Sequence, residues 1–288
     1  MRAVFVGPLL VVLAAVAAWP LLRTFALALT DATLATPGAP HFVGVSNYDF
    51  LVRDPDWWRA VANTLAFTAV SVTCETILGL VVALVVDARF RGRGLLRAAV
   101  LVPWAIPTIV SAKMWAWMLH DLYGVVNEVL VTVGVLETRL AWTADPSLAR
   151  FSIVAVDVWK TTPFMALLLL AALQAVPRDL YEAAALDGVS ALTVFRRITL
   201  PLIRPALAVA VVFRSLDALR MFDLVYVLTP NQASTMTMST YVRQQLIDFQ
   251  DTGYGSAAAS LVFAVVAVAT AVYLTTVRGR LWREEPAA

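Results

Sequence analysis

Two stretches of the sequence put charged side chains among apolar ones at helical spacing. Asp157, Lys160, Thr161 and Phe164 fall at i, i+3, i+4 and i+7, one stripe of an α-helix. Arg214, Asp217, Ala218 and Met221 repeat that spacing, and Arg220 and Asp223 continue an alternation of sign every three residues. Such groups can hydrogen-bond hydroxyls while a flat ring such as Phe164 covers an apolar face. They can also neutralise one another. Asp157 with Lys160, and Arg214 with Asp217, are spaced as structural pairs that would hold helices together.

A second set of residues lies between these stripes, in segment 174–205. Pro177 stands where a helix can begin, and Leu180, Ala183, Ala184 and Asp187 follow at helical spacing. Gly188 is placed to end that helix in a left-handed cap. Ser190 can cap a second short helix running to Ile198, and Pro201 is expected to stop it from continuing unbroken into the next apolar stretch. The predicted form is helix, glycine turn, helix.

These residues must be positioned by elements that live in lipid. The chain has 288 residues, 60% of them hydrophobic and 15% charged, against about 45–50% and about 25% for a soluble domain. Six stretches are long enough to cross a bilayer, which takes about 20 helical residues: 3–29, 61–86, 98–119, 151–173, 206–229 and 257–277. The first continues through Leu22, too long for the apolar region of a secretion signal, and reads as an uncleaved anchor. The run Val125–Leu136 is too short to cross and is expected to form a re-entrant or surface helix. Trp57 and Trp58, just before the second span, sit where an interfacial aromatic belt would place them.

Arginines favour one side. Arg2; Arg89, Arg91, Arg93 and Arg97; Arg178, Arg196, Arg197 and Arg204; and Arg278, Arg280 and Arg283 fall in segments that a cytosolic N-terminus would keep inside. The opposite loops, though longer and holding Pro37, Pro40 and Pro55, carry only Arg53, Arg59, Arg139, Arg150 and Arg243. The positive-inside bias puts both termini, and the loop 174–205, in the cytosol. Residues 1–288 are expected to form a single integral membrane domain.

Inside the fifth span, four charges at about 2.5–3.5 kcal/mol each near the bilayer centre would cost about 10–14 kcal/mol. Its twelve Leu, Val and Phe residues return only about 4–7 kcal/mol on the same scale. The charged face must therefore turn toward a bundle interior or a wet cavity. Lys113, near Trp115 and Trp117, is a weaker pathway candidate because lysine can snorkel. His41 and His120 stand without metal-ligand neighbours, no metal or catalytic group is expected, and the single cysteine, Cys74, excludes an internal disulfide.

The loop residues Glu182, Ala183, Ala184, three more, Gly188, nine more, then Ile198, Thr199, Leu200 and Pro201 resemble the EAA loop of binding-protein-dependent ABC importer permeases. Asp187 before the glycine and Phe195 after it are also similar to that family. Looser likenesses to the carbohydrate-import branch, with its maltose, glycerol-3-phosphate and trehalose permeases, lie in Gly44–Tyr48, Lys160–Phe164 and Phe222–Thr229.

The resemblance implies an all-α fold with six transmembrane helices, the MetI-like fold of type I importers, in the cell membrane. It implies that Glu182, Ala183, Ala184, Asp187, Gly188, Ile198, Leu200 and Pro201 couple to an ATPase, and that the two charged stripes line a translocation cavity for a sugar or sugar derivative. Implied partners are a second homologous permease, a dimer of ABC ATPases that uses ATP and Mg, and an extracytoplasmic binding protein. The chain itself has no GxxxxGK[ST] phosphate loop, so it is expected to be no enzyme and to bind no cofactor or nucleic acid. Alternatives are an importer permease for another solute, or a proton-coupled secondary transporter, which would carry inverted repeats and need no ATPase.

Overall fold

The computed structural model describes residues 2–35, 38–88 and 90–281, with side chains from 6 to 275. Pro37, Arg89 and Arg283 lie outside the described residues, as do the side chains of Arg2, Arg278 and Arg280. In chain order the helices are α1 (Val6–Leu27), α2 (Ser46–Arg53), α3 (Pro55–Asp87), α4 (Arg93–Ala105), α5 (Thr108–Met118), α6 (Val125–Thr132), α7 (Pro146–Gln174), α8 (Arg178–Leu186), α9 (Ala191–Ala218), α10 (Asp223–Leu228), α11 (Met238–Arg243) and α12 (Thr252–Leu281). Besides these, two isolated β-bridges join Thr30 to Phe42 and Thr33 to Asp251.

Helices α1, α3, α7, α9 and the Thr252–Thr275 part of α12 are each long and apolar enough to cross a membrane. The stretch expected as a crossing over 98–119 is instead the pair α4 and α5, bent by 91° at the break between them. The break lies where Ile106 is extended (φ −74°, ψ 133°) ahead of Pro107, because the proline ring disfavours helical geometry in the residue before it.

The fifth span departs from expectation at both ends. Pro201 does not stop the second loop helix, which runs on as α9 from Ala191 to Ala218. A π turn at Phe195–Thr199, with the Leu200 N–H bonded to the Phe195 carbonyl, widens the ladder just before the proline. The N–H that proline lacks is lost where the ladder is already out of α register. At the far end α9 finishes at Ala218 rather than near residue 229, so Arg220 and Met221 lie beyond it and Asp223 begins α10.

The chain forms two compact units. One comprises Met1–Asn63 with Asn231–Val268. Its core gathers Leu51, Trp57, Ala60, Met236, Met238, Tyr241 and Ala258. Trp57, expected at the membrane interface, is a core residue at 2% exposure packed edge-on against Tyr241, whereas Trp58 is exposed. Tyr241 donates to Asp54 Oδ2 at 2.5 Å and lies 3.0 Å from the Tyr254 hydroxyl. Burial, with the Asp54 carboxylate beside it, raises the Tyr241 pKa far above the ordinary phenol range.

The other unit comprises Thr64–Pro230 with Ala269–Ala288. Lipid is as apolar as leucine, so helices here gain from close packing rather than from leaving water. Gly79 of α3 shows this: a Cβ at that position would lie 2.7 Å from Met165 Cγ of α7. Buried Asn127 of α6 fixes the segment before α7. Its amide donates to the Leu140 carbonyl at 2.9 Å, and its oxygen accepts from Leu140 N and Trp142 Nε1. Helix α6 is too short to cross, as its sequence led us to expect.

Candidate functional site

The second unit places one carboxylate from each stripe, Asp157 and Asp217, around one guanidinium. Arg214, on the penultimate turn of α9, is 2% exposed. Its Nε and Nη2 bind Glu75 of α3 in two parallel bonds, at 2.5 and 3.0 Å. Nη2 also reaches Asp157 Oδ2 of α7 at 2.5 Å, and Nη1 reaches Asp217 Oδ2 at 3.0 Å. Glu75 is fully buried, and Thr161 Oγ1 lies 2.6 Å from its Oε1 and 2.6 Å from the Asp157 carbonyl. The fork of a guanidinium matches a carboxylate in two places at once, which fixes orientation as well as energy.

Lys160 does not pair with Asp157. Its Nζ donates to the Ile106 carbonyl at 2.7 Å, a backbone group freed by the break between α4 and α5. The expected Arg214–Asp217 pair does form, as one arm of the larger cluster.

A cavity of about 160 Å³ opens against this cluster. It is lined by Asp157, Lys160, Thr161, Arg214, Asp217 and Met221, together with Thr108, Arg220, Phe222, Asp223 and Leu224. Asp217 gives it an acid face, with a side chain 71% exposed although paired with Arg214. Phe164 lies off this lining and stacks on Trp104 at 5.8 Å, and Ala218 is buried. Met221 reaches the cavity from the non-helical turn after α9 and packs with Phe67, Ile153 and Leu224. Lys113 and Trp117 are exposed, and Trp115 packs edge-on against Trp159.

At the other end of α9 the loop has the predicted form. Pro177 caps α8, and Gly188 follows it at φ +64°. Val189 N bonds the Ala184 carbonyl at 3.1 Å and Gly188 N the Ala185 carbonyl at 3.2 Å, the paired bonds of a Schellman ending. Ser190 Oγ then accepts from Thr193 N to start α9. Glu182, Ala183, Asp187 and Pro201 are exposed, Ile198 and Leu200 half-buried, and Ala184 buried. Tyr181 and Thr199 hydroxyls, 3.1 Å apart, tie α8 back to α9. Leu186 is 90% exposed at the tip, an apolar side chain left open to its surroundings.

Comparison with known proteins matches residues 75–281 to the family described as binding-protein-dependent transport system inner membrane component. The chain belongs to that family. It is thus the membrane-spanning permease of an ABC importer. This permease is 45% identical, over 95% of its length and 92% of the relative's, to the trehalose/maltose transport system permease protein of Thermococcus litoralis. It is 41% identical to the trehalose transport system permease protein of Mycobacterium tuberculosis (93% and 86% covered), and 36% identical to the sulfoquinovosyl glycerol transport system permease protein of Agrobacterium fabrum (94% and 88% covered). Its fold matches a chain of a bacterial ABC transporter importing the acidic polysaccharide alginate, at TM-score 0.85 and 23% identity, covering 96% of this chain and 95% of that one. The proton-coupled alternative falls with this family membership.

Glu75 is the residue that sequence reasoning missed. Its signal was a lone carboxylate in the middle of the apolar 33-residue helix α3, and an ionisable group at that depth needs a partner or a task.

Proposed function

We propose that this permease forms one half of the pathway of an importer for a sugar or sugar derivative, with Asp157, Lys160, Thr161, Arg214, Asp217 and Met221 at or behind its wall. The observation that carries this reading is the 45% identity, over nearly the whole chain, to a trehalose/maltose permease. The chemistry of the cavity agrees with it. Asp217, Lys160 and Thr161 offer acceptors and donors to hydroxyl groups, and Phe222 offers an apolar face. Phe164 contributes through its stacking with Trp104.

Both termini are cytosolic in this reading, and the whole chain works as one permease domain. Helix α8 and the turn at Gly188 then face the cytosol, where Glu182, Ala183, Ala184, Asp187, Ile198, Leu200 and Pro201 meet an ATPase subunit. Two such ATPases, using ATP and Mg, supply the energy, and a second homologous permease supplies the other half of the pathway. An extracytoplasmic binding protein delivers the sugar to the outer loops. The permease itself hydrolyses nothing.

The test is uptake by the reconstituted complex with trehalose as first probe. Asp217→Asn is expected to raise the KM for uptake several-fold in a fully assembled complex. Unchanged kinetics would remove Asp217 from the pathway. A complex that imports without any ATPase would overturn the whole reading.

A further inference from the structure

Asp217 is an exposed carboxylate on a cavity wall, yet its direction is set from outside that wall. Its side chain is largely exposed, and among the described residues its ion pair is to Arg214 of the preceding turn. An exposed pair of this kind, left to itself, exchanges among rotamers and is worth only about 0–1 kcal/mol. Here the cation cannot exchange. Arg214 is held by both oxygens of Glu75 and by Asp157, from two other helices, and all three groups are buried. The guanidinium therefore presents Nη1 to Asp217 from a fixed place.

We propose that Glu75 is a positioning residue for transport: through Arg214 it aims the Asp217 carboxylate into the cavity. Glu75 is not among the residues that line that cavity. Asp157 shares the task from α7, and the Thr161 hydroxyl, 2.6 Å from Glu75 Oε1, holds the remaining side of the glutamate. Removing the Glu75 charge leaves Arg214 with two carboxylates and lets it swing toward them, so Asp217 loses its direction while the cavity keeps its lining. The proposal rests on the reading of Asp217 as a substrate contact.

The test is a double-mutant cycle in the reconstituted complex, scored by the KM and maximal rate of trehalose uptake. Glu75→Gln is expected to raise KM about threefold, within the worth of one intramolecular hydrogen bond and no more than Asp217→Asn does, with a much smaller change in maximal rate per assembled complex. Glu75→Gln combined with Asp217→Asn is expected to be no worse than Asp217→Asn alone, because the two residues act in series. A Glu75→Gln complex that assembles with unchanged KM, or additive effects in the double variant, would overturn the proposal and leave Asp217 in the pathway. Unchanged kinetics in Asp217→Asn itself would overturn both. Should Glu75→Gln fail to assemble, Glu75→Asp decides: it keeps the charge one methylene short, and it must raise KM, by a smaller factor than Asp217→Asn does, for the proposal to stand.

Discussion

Helix α9 ends in two polar structures built by opposite means. At Ala191 it grows out of a turn whose bonds join residues five or fewer apart: Gly188 to Ala185, Val189 to Ala184, Thr193 to Ser190. At Ala218 it ends beside a cluster whose bonds join residues 139 and 57 apart in sequence. The first is exposed and holds its shape through backbone geometry. The second is buried and holds through charge. At about 1.5 Å per residue some 35 Å of continuous helix joins the loop to Arg214. The difference teaches that the loop end is made of groups that tolerate water, whereas the guanidinium end, Asp217 aside, is made of charged groups shielded from it.

The sharpest way to break this contrast is at the buried end. Arg214→Met leaves Glu75 and Asp157 as uncompensated buried carboxylates, so a loss of about 3–5 kcal/mol is expected. It should show as a large fall in the melting temperature and yield of the detergent-solubilised complex. A nearly unchanged melting temperature would mean that charge does not hold this end.

Next in size is the packing behind the cluster. Gly79→Ala puts a methyl group against Met165, for an expected cost of about 1–3 kcal/mol. Met165→Ala in the same chain should recover part of it, which thermal unfolding of the single and double variants would read.

At the exposed end the expected effects are smaller in stability and larger in coupling. Gly188→Val forces a β-branched residue to φ +64°, at about 1–2 kcal/mol. Its main consequence should be lost co-purification with the ATPase while the melting temperature of the permease changes little. Co-purification at the native level would remove the turn from coupling. The smallest effect is expected from Tyr181→Phe, which removes the Thr199 contact at about 0.5–1.5 kcal/mol and should lower ATPase stimulation modestly.

Much of this molecule was legible from the chain, and the limits were physical. The spans could be counted because bilayer thickness fixes helix length, but Ile106–Pro107 bent the third by 91°. Pro201 signalled a break that a π turn absorbed, and the fifth span ended early at Ala218. Trp57 had the composition of an interfacial anchor and proved to be core. The stripes were drawn on ideal helices, so they gathered most of the cavity wall but also took in Phe164 and Ala218, which lie off it.

What the sequence determined alone is the membrane environment, the helical class, and the glycine turn with its flanking caps. Each depends on residues close together in the chain, where backbone geometry and composition settle the outcome. Only the tertiary structure decided that Arg214 answers to Glu75 and Asp157 rather than to Asp217 alone, and that Lys160 serves a broken backbone instead of Asp157. Opposite charges three residues apart look like partners on any helix. Which of them pair is decided when three helices pack and the buried guanidinium takes the carboxylates that water can no longer reach.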